Sequence, residues 1–402
     1  MRHRHLATLV AAFALLTLLV AAPIAGATGG SSGPSLSWTK VYGDDPSGWT
    51  GRAGLQAVQL RGDFFVMGGR TPDPSQFNPF ASILWNDVWK SDDLGRSWRA
   101  LGTAPWAARG YFQAVTKDGA MFVLGGQNLS AGPGQPSQFF NDVWKSYDGK
   151  NWKQLTAAAP WKGRAGLSAI VFGDHIYVMG GSNGDDVAIG GSGRELFNDV
   201  WRSRDGRSWQ LVTADAAWSP RAGAAVVKKD GYLYLLGGED GFLCTVGPAG
   251  LQCPYFNDVW RSRNGATWDL VTPSAAWSPR PGHQAQVLYG AIVVFGGFGW
   301  PSLADPTQPP GPFNPFLPGH PTDQWSSRDG KNWTLLPGSP WNAAGPADIK
   351  YDFDSLKVRT GLFGLRESIY TFGGDREISF VNPDPSLVDD DVWRAMPRLW
   401  SW

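Results

Sequence analysis

Two short motifs decide the fold: Phe64-Phe65-Val66-Met67-Gly68-Gly69 and Asn86-Asp87-Val88-Trp89. The first is an apolar run that ends in a pair of glycines, and the second places two polar residues before Val-Trp. The second motif is intact in four copies and changed to Thr322-Asp323-Gln324-Trp325 and Asp390-Asp391-Val392-Trp393 in two more. The glycine pairs lie at residues 68–69, 125–126, 180–181, 237–238, 296–297 and 373–374. Six ordered copies of both motifs predict a repeat protein.

Each copy contains four segments, which we call A to D in chain order. Segment A starts at an Arg, B ends in the glycine pair, C contains the Val-Trp motif, and D contains a further Trp after Ser, Asn or Thr. The interval from the Arg of A to the second glycine of B is constant in five copies and two positions shorter in the sixth. The Arg residues that start A are Arg52, Arg109, Arg164, Arg221, Arg280 and Arg359. Four short strands in a repeat of roughly 50 residues are typical of a β-propeller blade.

The sixth copy has no segment D after Trp393, whereas Ser37-Trp38-Thr39-Lys40-Val41 matches segment D and has no A, B or C before it. We therefore predict an all-β, six-bladed β-propeller of four-stranded blades whose ring is closed by an N-terminal strand. The composition agrees, because 52 glycines, 30 prolines and 22 tryptophans among 402 residues favour short strands joined by turns. This composition excludes a helical bundle.

The motifs resemble the kelch repeat, in which an apolar strand ends in Gly-Gly and a Trp follows, and the resemblance covers residues 37–396. It implies the architecture of the galactose oxidase central domain and of the sialate mutarotases. The C to D turn Ser91-Asp92-Asp93-Leu94-Gly95-Arg96-Ser97-Trp98 also resembles the Asp box of sialidase-type propellers. We assign these turns a structural role, because Gly accepts a positive φ and the Asp side chain can bond the turn backbone.

Residues 1–27 have the three parts of a secretory signal: a basic start, an apolar run from Leu6 to Val20, and the cleavage site Ala25-Gly26-Ala27. An uncleaved anchor is the alternative, but the run is short for a membrane span, which needs about 20 residues. We expect a signal peptide (1–27), a linker (28–36), the propeller (37–396) and a tail (397–402). The mature protein is expected to be secreted or periplasmic, with no membrane span.

The charge and the cysteine content of the chain limit which kinds of partner and metal site the sequence supports. The chain has 35 acidic and 35 basic residues, which argues against a nucleic-acid partner. In an oxidising compartment, Cys244 and Cys253 are expected to form a disulfide within one loop. Two thiols without a nearby His make a poor metal site. We expect a monomer with no metal and no cofactor.

The B to C loops are long and all different, whereas the A to B and C to D turns are short and alike. The rim formed by the B to C and D to A connections is therefore the candidate face for binding a protein or a glycan. The candidate ligand-binding residues are Trp85, Trp300, Arg280, His283 and Arg376.

A further Trp recurs in the D to A connections, at Trp49, Trp106, Trp161, Trp218, Trp277 and Trp341. One interpretation is a ring of aromatic platforms for a ligand, with the Arg of each segment A recognising anions. The other is that each Trp packs across a blade boundary and each Arg pairs with an Asp of a neighbouring Asn-Asp-Val-Trp strand. We favour the second interpretation, because a binding site seldom needs six equal copies.

Catalysis is harder to locate. A copper site like that of galactose oxidase would need paired His and Tyr ligands, and the chain has no Tyr-His dipeptide. The resemblance to sialate mutarotases implies an acid/base Glu directly after a glycine pair, and Glu239 matches that position. The family's partner Arg, a few residues further on, has no counterpart, so an Arg from another blade, such as Arg376 or Arg280, is the candidate. We favour a secreted recognition module over a sugar mutarotase or epimerase, because no complete catalytic constellation can be assembled from the sequence.

Overall fold

The structure is a computed structural model. It describes residues 35–43, 45–75, 82–128, 136–185, 193–241, 245–247, 250–252, 254–299, 323–337, 350–376 and 384–397. These residues form six four-stranded antiparallel sheets, four short hairpins and two 3-10 helices, Leu362–Gly364 and Pro385–Leu387. Among them, no helix is long and apolar enough to cross a membrane.

The first half of the chain forms strand β1 (Leu36–Tyr42) and the first three blades. Blade 1 contains β2 (Gln56–Leu60), β3 (Asp63–Met67), β6 (Asp87–Ser91) and β7 (Arg99–Thr103), with the hairpin β4 (Arg70–Pro72) and β5 (Ser82–Leu84). Blade 2 contains β8 (Gln113–Lys117), β9 (Ala120–Leu124), β12 (Val143–Ser146) and β13 (Trp152–Thr156), with the hairpin β10 (Gln127–Asn128) and β11 (Gln138–Phe139). Blade 3 contains β14 (Ser168–Phe172), β15 (His175–Met179), β18 (Val200–Ser203) and β19 (Gln210–Thr213), with the hairpin β16 (Ser182–Asn183) and β17 (Glu195–Leu196).

The second half forms the other three blades. Blade 4 contains β20 (Ala225–Lys229), β21 (Tyr232–Glu239), β24 (Tyr255–Ser262) and β25 (Asp269–Thr272), with the hairpin β22 (Thr245–Gly247) and β23 (Gly250–Gln252). Blade 5 contains β26 (Gln284–Leu288), β27 (Ala291–Phe295), β28 (Gln324–Ser327) and β29 (Thr334–Leu336). Blade 6 contains β30 (Asp354–Thr360), β31 (Arg366–Asp375), β32 (Val388–Pro397) and β1.

The six blades close into a ring. The first strands of neighbouring blades contact each other all the way round, from β2 to β8, β14, β20, β26, β30 and back to β2. Strand β1 is the outer strand of blade 6 and pairs antiparallel with β32, with Leu36 opposite Pro397. The predicted fold class, and its closure by an N-terminal strand, are confirmed. We call the side that bears the B to C and D to A connections the glycine-pair rim, and the side with the A to B and C to D turns the turn rim.

The Asn-Asp-Val-Trp motif links each blade to its neighbouring connections. In blade 2, Asn141 donates to the carbonyl of Trp161 (3.0 Å) in the connection to blade 3. Asp142 accepts two hydrogen bonds from Arg109, at 2.6 and 2.9 Å, and one from the Trp144 indole at 2.8 Å. The Val of the motif is fully buried. Corresponding ion pairs join Arg52 to Asp87, Arg164 to Asp199, Arg221 to Asp258 and Arg280 to Asp323.

The tryptophans of the D to A connections belong to the scaffold. Five of them, Trp49, Trp106, Trp161, Trp218 and Trp277, are at most 1% exposed. Each meets the Trp of a segment D edge to face, with ring centroids 5.8–6.2 Å apart. The interpretation that the Trp and Arg sets are structural is therefore confirmed for these five copies, and Trp341 lies outside the described residues.

The sixth segment A starts at Lys350, and the prediction that it starts at Arg359 is wrong. Arg359 lies inside β30 and pairs with Glu367 (2.9 Å), whereas the basic residue four positions before this strand is Lys350. Lys350 is buried and binds Asp391 and, at 2.9 Å, Asp389, as the Arg residues of the other blades bind their Asp partners. A longer A to B connection and the change from Arg to Lys together hide this equivalence in the sequence.

Candidate functional site

A ring of six backbone hydrogen bonds surrounds the propeller axis. One residue from each blade donates its N–H to the carbonyl of its counterpart in the preceding blade, at 2.7–3.2 Å. We call this the axial ring, and its members are Gly54, Tyr111, Gly166, Gly223, Gly282 and Asp352. All six have φ between 52° and 63°, a left-handed conformation that favours glycine. Tyr111 and Asp352 adopt it at a cost of about 1–2 kcal/mol each, so their side chains are candidates for function.

A second set of residues lies beside the axial ring on the glycine-pair rim. Each directly follows a glycine pair, and its backbone bonds to the residue that precedes an axial-ring member. We call them the post-pair residues, and they are Arg70, Gln127, Ser182, Glu239, Phe298 and Asp375. Unlike the scaffold positions, these six are all different. The fold thus places diverse side chains at equivalent points around the axis.

Charged and phenolic groups from blades 1, 2 and 6 meet at the axis. Arg70 donates through Nε to the Tyr111 hydroxyl at 2.7 Å and through Nη2 to the Asp375 carboxylate. Arg70 is 6% exposed and Asp375 is fully buried. Burial also raises the pKa of the Tyr111 and Tyr351 hydroxyls, which therefore stay protonated at neutral pH. This side of the site offers a guanidinium, a carboxylate and neutral hydroxyl groups.

Glu239 pairs with an Arg that the sequence did not indicate. Arg194 comes from the hairpin of blade 3 and donates to Glu239 Oε1 at 2.8 Å. Ser182 fixes the guanidinium by accepting from Arg194 Nη2 at 3.0 Å. The interaction joins blades 3 and 4 at the axis, with Glu239 only 8% exposed. Glu239 therefore has a cationic partner that is itself largely shielded from solvent, with its side chain 14% exposed.

The candidates Arg280 and Arg376 do not fill that role. Arg280 is fully buried in its ion pair with Asp323 at 2.7 Å. Arg376 stays within blade 6, where its Nε lies 3.1 Å from Asp389. The Arg that binds Glu239 does come from another blade, but this residue is Arg194. The hairpin of blade 3 carries it across to blade 4.

Asp352 is a carboxyl group that changes its charge near neutral pH. Burial and the neighbouring Asp375 carboxylate raise its pKa from 3.8 to about 7, with a smaller contribution from Glu239, while Arg70 acts in the opposite direction. Its side chain is half-buried, so it can still exchange protons with solvent. A carboxyl group with this pKa can serve as a proton donor or acceptor under physiological conditions.

An aromatic wall completes the site. The rings of Phe298 and Tyr351 lie 5.4 Å apart, and those of Phe298 and Tyr255 lie 6.1 Å apart. All three side chains are buried. Burial, followed by the charge of Glu239, raises the pKa of the Tyr255 hydroxyl. The wall therefore connects the Glu239 side of the site with Tyr351, the neighbour of Asp352.

Trp85 makes contacts typical of a scaffold residue. Arg52 lies 4.7 Å from its ring centroid, and its indole N–H donates to Thr71 Oγ1 at 2.9 Å. In blades 2, 3 and 4 a Phe stacks on the Arg from the same position, just before Asn-Asp-Val-Trp, at 4.0 Å. Ligand binding by Trp85 stays a prediction that these contacts do not favour. Trp300, Cys244 and Cys253 lie outside the described residues.

His283, one of the candidate ligand-binding residues, is only 2% exposed. Its ring packs 5.6 Å from that of Trp277, at the position taken by Phe112 in blade 2. Burial, and then the charge of Arg280, lowers the pKa of His283 from 6.5 to about 3. It is therefore a neutral residue of the core between blades.

Replacing His283 with Phe is expected to reduce the loss of stability in acid. Between pH 6.5 and 3 the unfolded chain binds a proton that the folded chain does not, so stability falls as the pH falls through this window. At pH 5 this loss is about 2 kcal/mol relative to pH 7. Urea unfolding of both proteins at pH 7 and pH 5 measures it. Equal losses in wild type and H283F would contradict the buried neutral state.

A metal centre finds no support in the described residues. Among them, no three His, Cys, Asp or Glu side chains are grouped so as to hold a metal ion. The expectation that the protein needs no metal or cofactor stays a prediction. The groups at the axis are suited to hydrogen bonding and proton transfer.

Fold and site together define a six-bladed kelch-type propeller with a polar site at its axis. The family described as KLHDC2/KLHL20/DRC7 Kelch-repeats domain matches residues 54–297. The chain therefore belongs to the kelch-repeat family.

Curated relatives of different kinds are similar to this chain. Kelch domain-containing protein 3 of Rattus norvegicus is 26% identical over 280 residues, which are 65% of this chain and 67% of the relative. N-acetylneuraminate epimerase of Escherichia coli O1:K1 / APEC is 26% identical over 232 residues, 51% of this chain and 60% of the relative. An F-box/kelch-repeat protein of Arabidopsis thaliana is 26% identical over 192 residues, 42% of this chain and 36% of the relative. The chain thus spans between about a third and two thirds of these relatives.

The solved structure of YjhT is similar to most of this chain. It superposes with a TM-score of 0.60, covering 88% of this chain and 99% of YjhT at 16% sequence identity. At that identity the likeness shows the fold alone.

Proposed function

We propose that this protein binds a small polyhydroxylated carbohydrate at the axial site on the glycine-pair rim. The observation on which this rests is the gathering of Arg70, Arg194, Glu239, Asp352 and Asp375 from four blades around one point. None of these residues takes part in the repeated Arg–Asp links that hold the blades together. Carboxylates and guanidinium groups bind hydroxyl and carboxylate groups of sugars, and an aromatic wall suits the apolar face of a sugar ring.

We further propose that the protein is exported and works as a secreted or periplasmic monomer. The signal-like residues 1–27 support export. N-terminal sequencing of the exported protein should begin near Thr28. Alkylation of the unreduced protein should leave Cys244 and Cys253 unlabelled if they form the expected disulfide.

A second candidate function is acid/base turnover of the bound sugar. It is favoured by the coexistence of a carboxylate held by Arg194 and a carboxyl group, Asp352, with a pKa of about 7. Similarity to N-acetylneuraminate epimerase also supports it. In this proposal Glu239 takes the proton of the anomeric hydroxyl while Asp352 protonates the ring oxygen. The bond between the anomeric carbon and the ring oxygen breaks, and reclosure on the other face gives the other anomer.

Substituting Glu239 with Gln is expected to slow anomer exchange about a hundredfold, because general acid/base groups typically contribute at least that factor. A glycan array identifies a bound sugar, and exchange NMR on that sugar measures the rate. The wild-type rate should fall as the pH rises above about 7, because Asp352 then loses the proton that it donates. Asp352→Asn should lower the rate and remove this pH dependence.

Glu195→Gln is the matched control. Glu195 lies on the same rim and is exposed, and it pairs with Lys162 away from the axis. This variant should keep the wild-type rate. Binding without measurable exchange would leave the carbohydrate site standing and refute turnover. Failure to bind any glycan, with a protein ligand captured on the same rim, would refute both proposals.

A further inference from the structure

One A to B connection differs from the others on the turn rim. In blade 6 it contains Leu362, Phe363 and Leu365, whose exposed fractions are 77%, 88% and 70%. In the other five blades, two residues make the same connection: Arg61-Gly62, Asp118-Gly119, Gly173-Asp174, Asp230-Gly231 and Tyr289-Gly290. A cluster of three such exposed apolar side chains marks an interaction surface. We call residues 361–365 the apolar tip.

The apolar tip is held outward by its base. Glu367 accepts a hydrogen bond from the backbone N–H of Tyr289 in blade 5 at 2.6 Å. The Tyr289 hydroxyl accepts from the Glu367 N–H at 2.9 Å and donates to the Leu365 carbonyl at 3.3 Å. These bonds fix the hairpin to the neighbouring blade. The three apolar side chains are thus presented to solvent by an ordered hairpin.

Basic side chains surround the apolar tip. Arg366 directly follows it and is exposed, and the Arg359 side chain is 65% exposed. Lys357 lies two residues before Arg359 in β30, further from the tip, and its side chain is 27% exposed. Within residues 357–367 the acidic residue is Glu367, which pairs with Lys357 and Arg359, so three cations accompany one anion next to the tip. An apolar tip with basic flanks is complementary to a surface that is apolar inside and anionic outside, as a bilayer with acidic lipids is.

The size of the tip favours a bilayer over a protein partner. A stable protein interface covers roughly 800 Å² on each partner with about 20–30 residues. Three side chains on one hairpin provide much less, whereas insertion into a bilayer needs only a local apolar protrusion.

We propose that the apolar tip inserts into the surface of a bilayer that contains anionic lipids. The propeller would then rest on the membrane by its turn rim. Because the axial site opens on the opposite rim, it would face away from the bilayer. The inference does not depend on the proposed carbohydrate site.

Vesicle flotation of the mature protein tests the proposal. Wild type should float with vesicles of phosphatidylcholine and phosphatidylglycerol (7:3), and less with phosphatidylcholine alone. The triple variant L362S/F363S/L365S should bind the mixed vesicles at least tenfold more weakly, and R359Q/R366Q should lose the preference for anionic lipid. The control Ile83→Ser removes an exposed apolar side chain (44%) from the glycine-pair rim and should float like wild type.

Three outcomes would overturn the proposal. The first is that wild type stays at the bottom of the gradient with both kinds of vesicle. The second is that the triple variant and wild type float equally. The third is a wild-type dimer in sedimentation velocity that becomes a monomer in the triple variant without any vesicle binding, which would assign the tip to a second copy of the chain. Melting temperatures equal to that of wild type would show that the variants are folded. If the triple variant does not fold, the single variant F363S replaces it in the flotation test.

Discussion

Deletion of residues 28–42 should abolish cooperative folding of the propeller. Strand β1 is the fourth strand of blade 6, although it comes first in the chain. Its Leu36 and Tyr42 side chains are at most 8% exposed. The Trp38 indole donates to Gln324 of blade 5 at 3.1 Å and its ring packs 5.8 Å from Phe295. The deletion therefore removes core contacts in two blades and exposes the edge of β32.

Circular dichroism and thermal unfolding measure this effect. Deleting only residues 28–34 is the matched control, and it should leave the melting transition in place because β1 remains. A synthetic peptide of residues 35–43, added to the longer deletion, should restore a transition if the strand can pair noncovalently. A sharp transition at the wild-type temperature in the longer deletion would refute the role of β1 in closing the ring.

Truncation of one blade-linking Arg should have the next largest effect. Arg164 donates to both oxygens of Asp199, at 2.5 and 2.9 Å, and to the Gly180 carbonyl at 2.9 Å, and it lies 4.0 Å from the Phe197 ring centroid. Arg164→Ala leaves Asp199 without its cation in a largely buried place. We expect a loss of about 3–5 kcal/mol in the free energy of unfolding, measured by urea denaturation.

The comparison that isolates this effect is an exposed ion pair in the same blade. Arg204 and Asp174 lie 3.0 Å apart, with side chains 73% and 62% exposed. Arg204→Ala should therefore cost less than about 1 kcal/mol. The double variant R164M/D199N, which removes both charges, should recover part of the loss. Similar losses for R164A and R204A would show that the buried pair contributes no more than a surface contact.

The repeated parts of the molecule could be predicted because the same residue types pack at the same positions in each blade. Val143 fills a core and Asp142 balances Arg109, and the same residue types are needed in nearly every blade. The site could not be predicted in this way, because its residues differ at every equivalent position. Glu239 was found through a family resemblance, whereas Arg194 reaches it by a hairpin whose path the spacing of the motifs does not specify.

Part of the missing site had a signal in the sequence. Four of the basic residues that start segment A are followed two positions later by glycine, and Tyr111 takes that place in the second copy. Asp352 takes it in the sixth, where the segment starts at Lys350 and not at Arg359. Trp85 stands where Phe occurs in the next three copies, and this shared aromatic character is the sequence signal for its place in the scaffold.

The axial ring has a further consequence for how such sites can diversify. A Cβ added to Gly54 would lie 3.0–3.2 Å from Tyr111, and one added to Gly282 would lie 2.6 Å from the Asp352 carboxylate. A side chain at an axial-ring position therefore approaches the ring member of the next blade, so side chains in two neighbouring blades compete for the same space. Tyr111 and Asp352 fill the places of blades 2 and 6. At Gly223 in blade 4 both neighbouring ring members are glycines, but an added Cβ would still lie 3.2 Å from the Gly282 nitrogen and 3.3 Å from the Pro281 side chain, so a new functional group beside Glu239 would require that segment to shift.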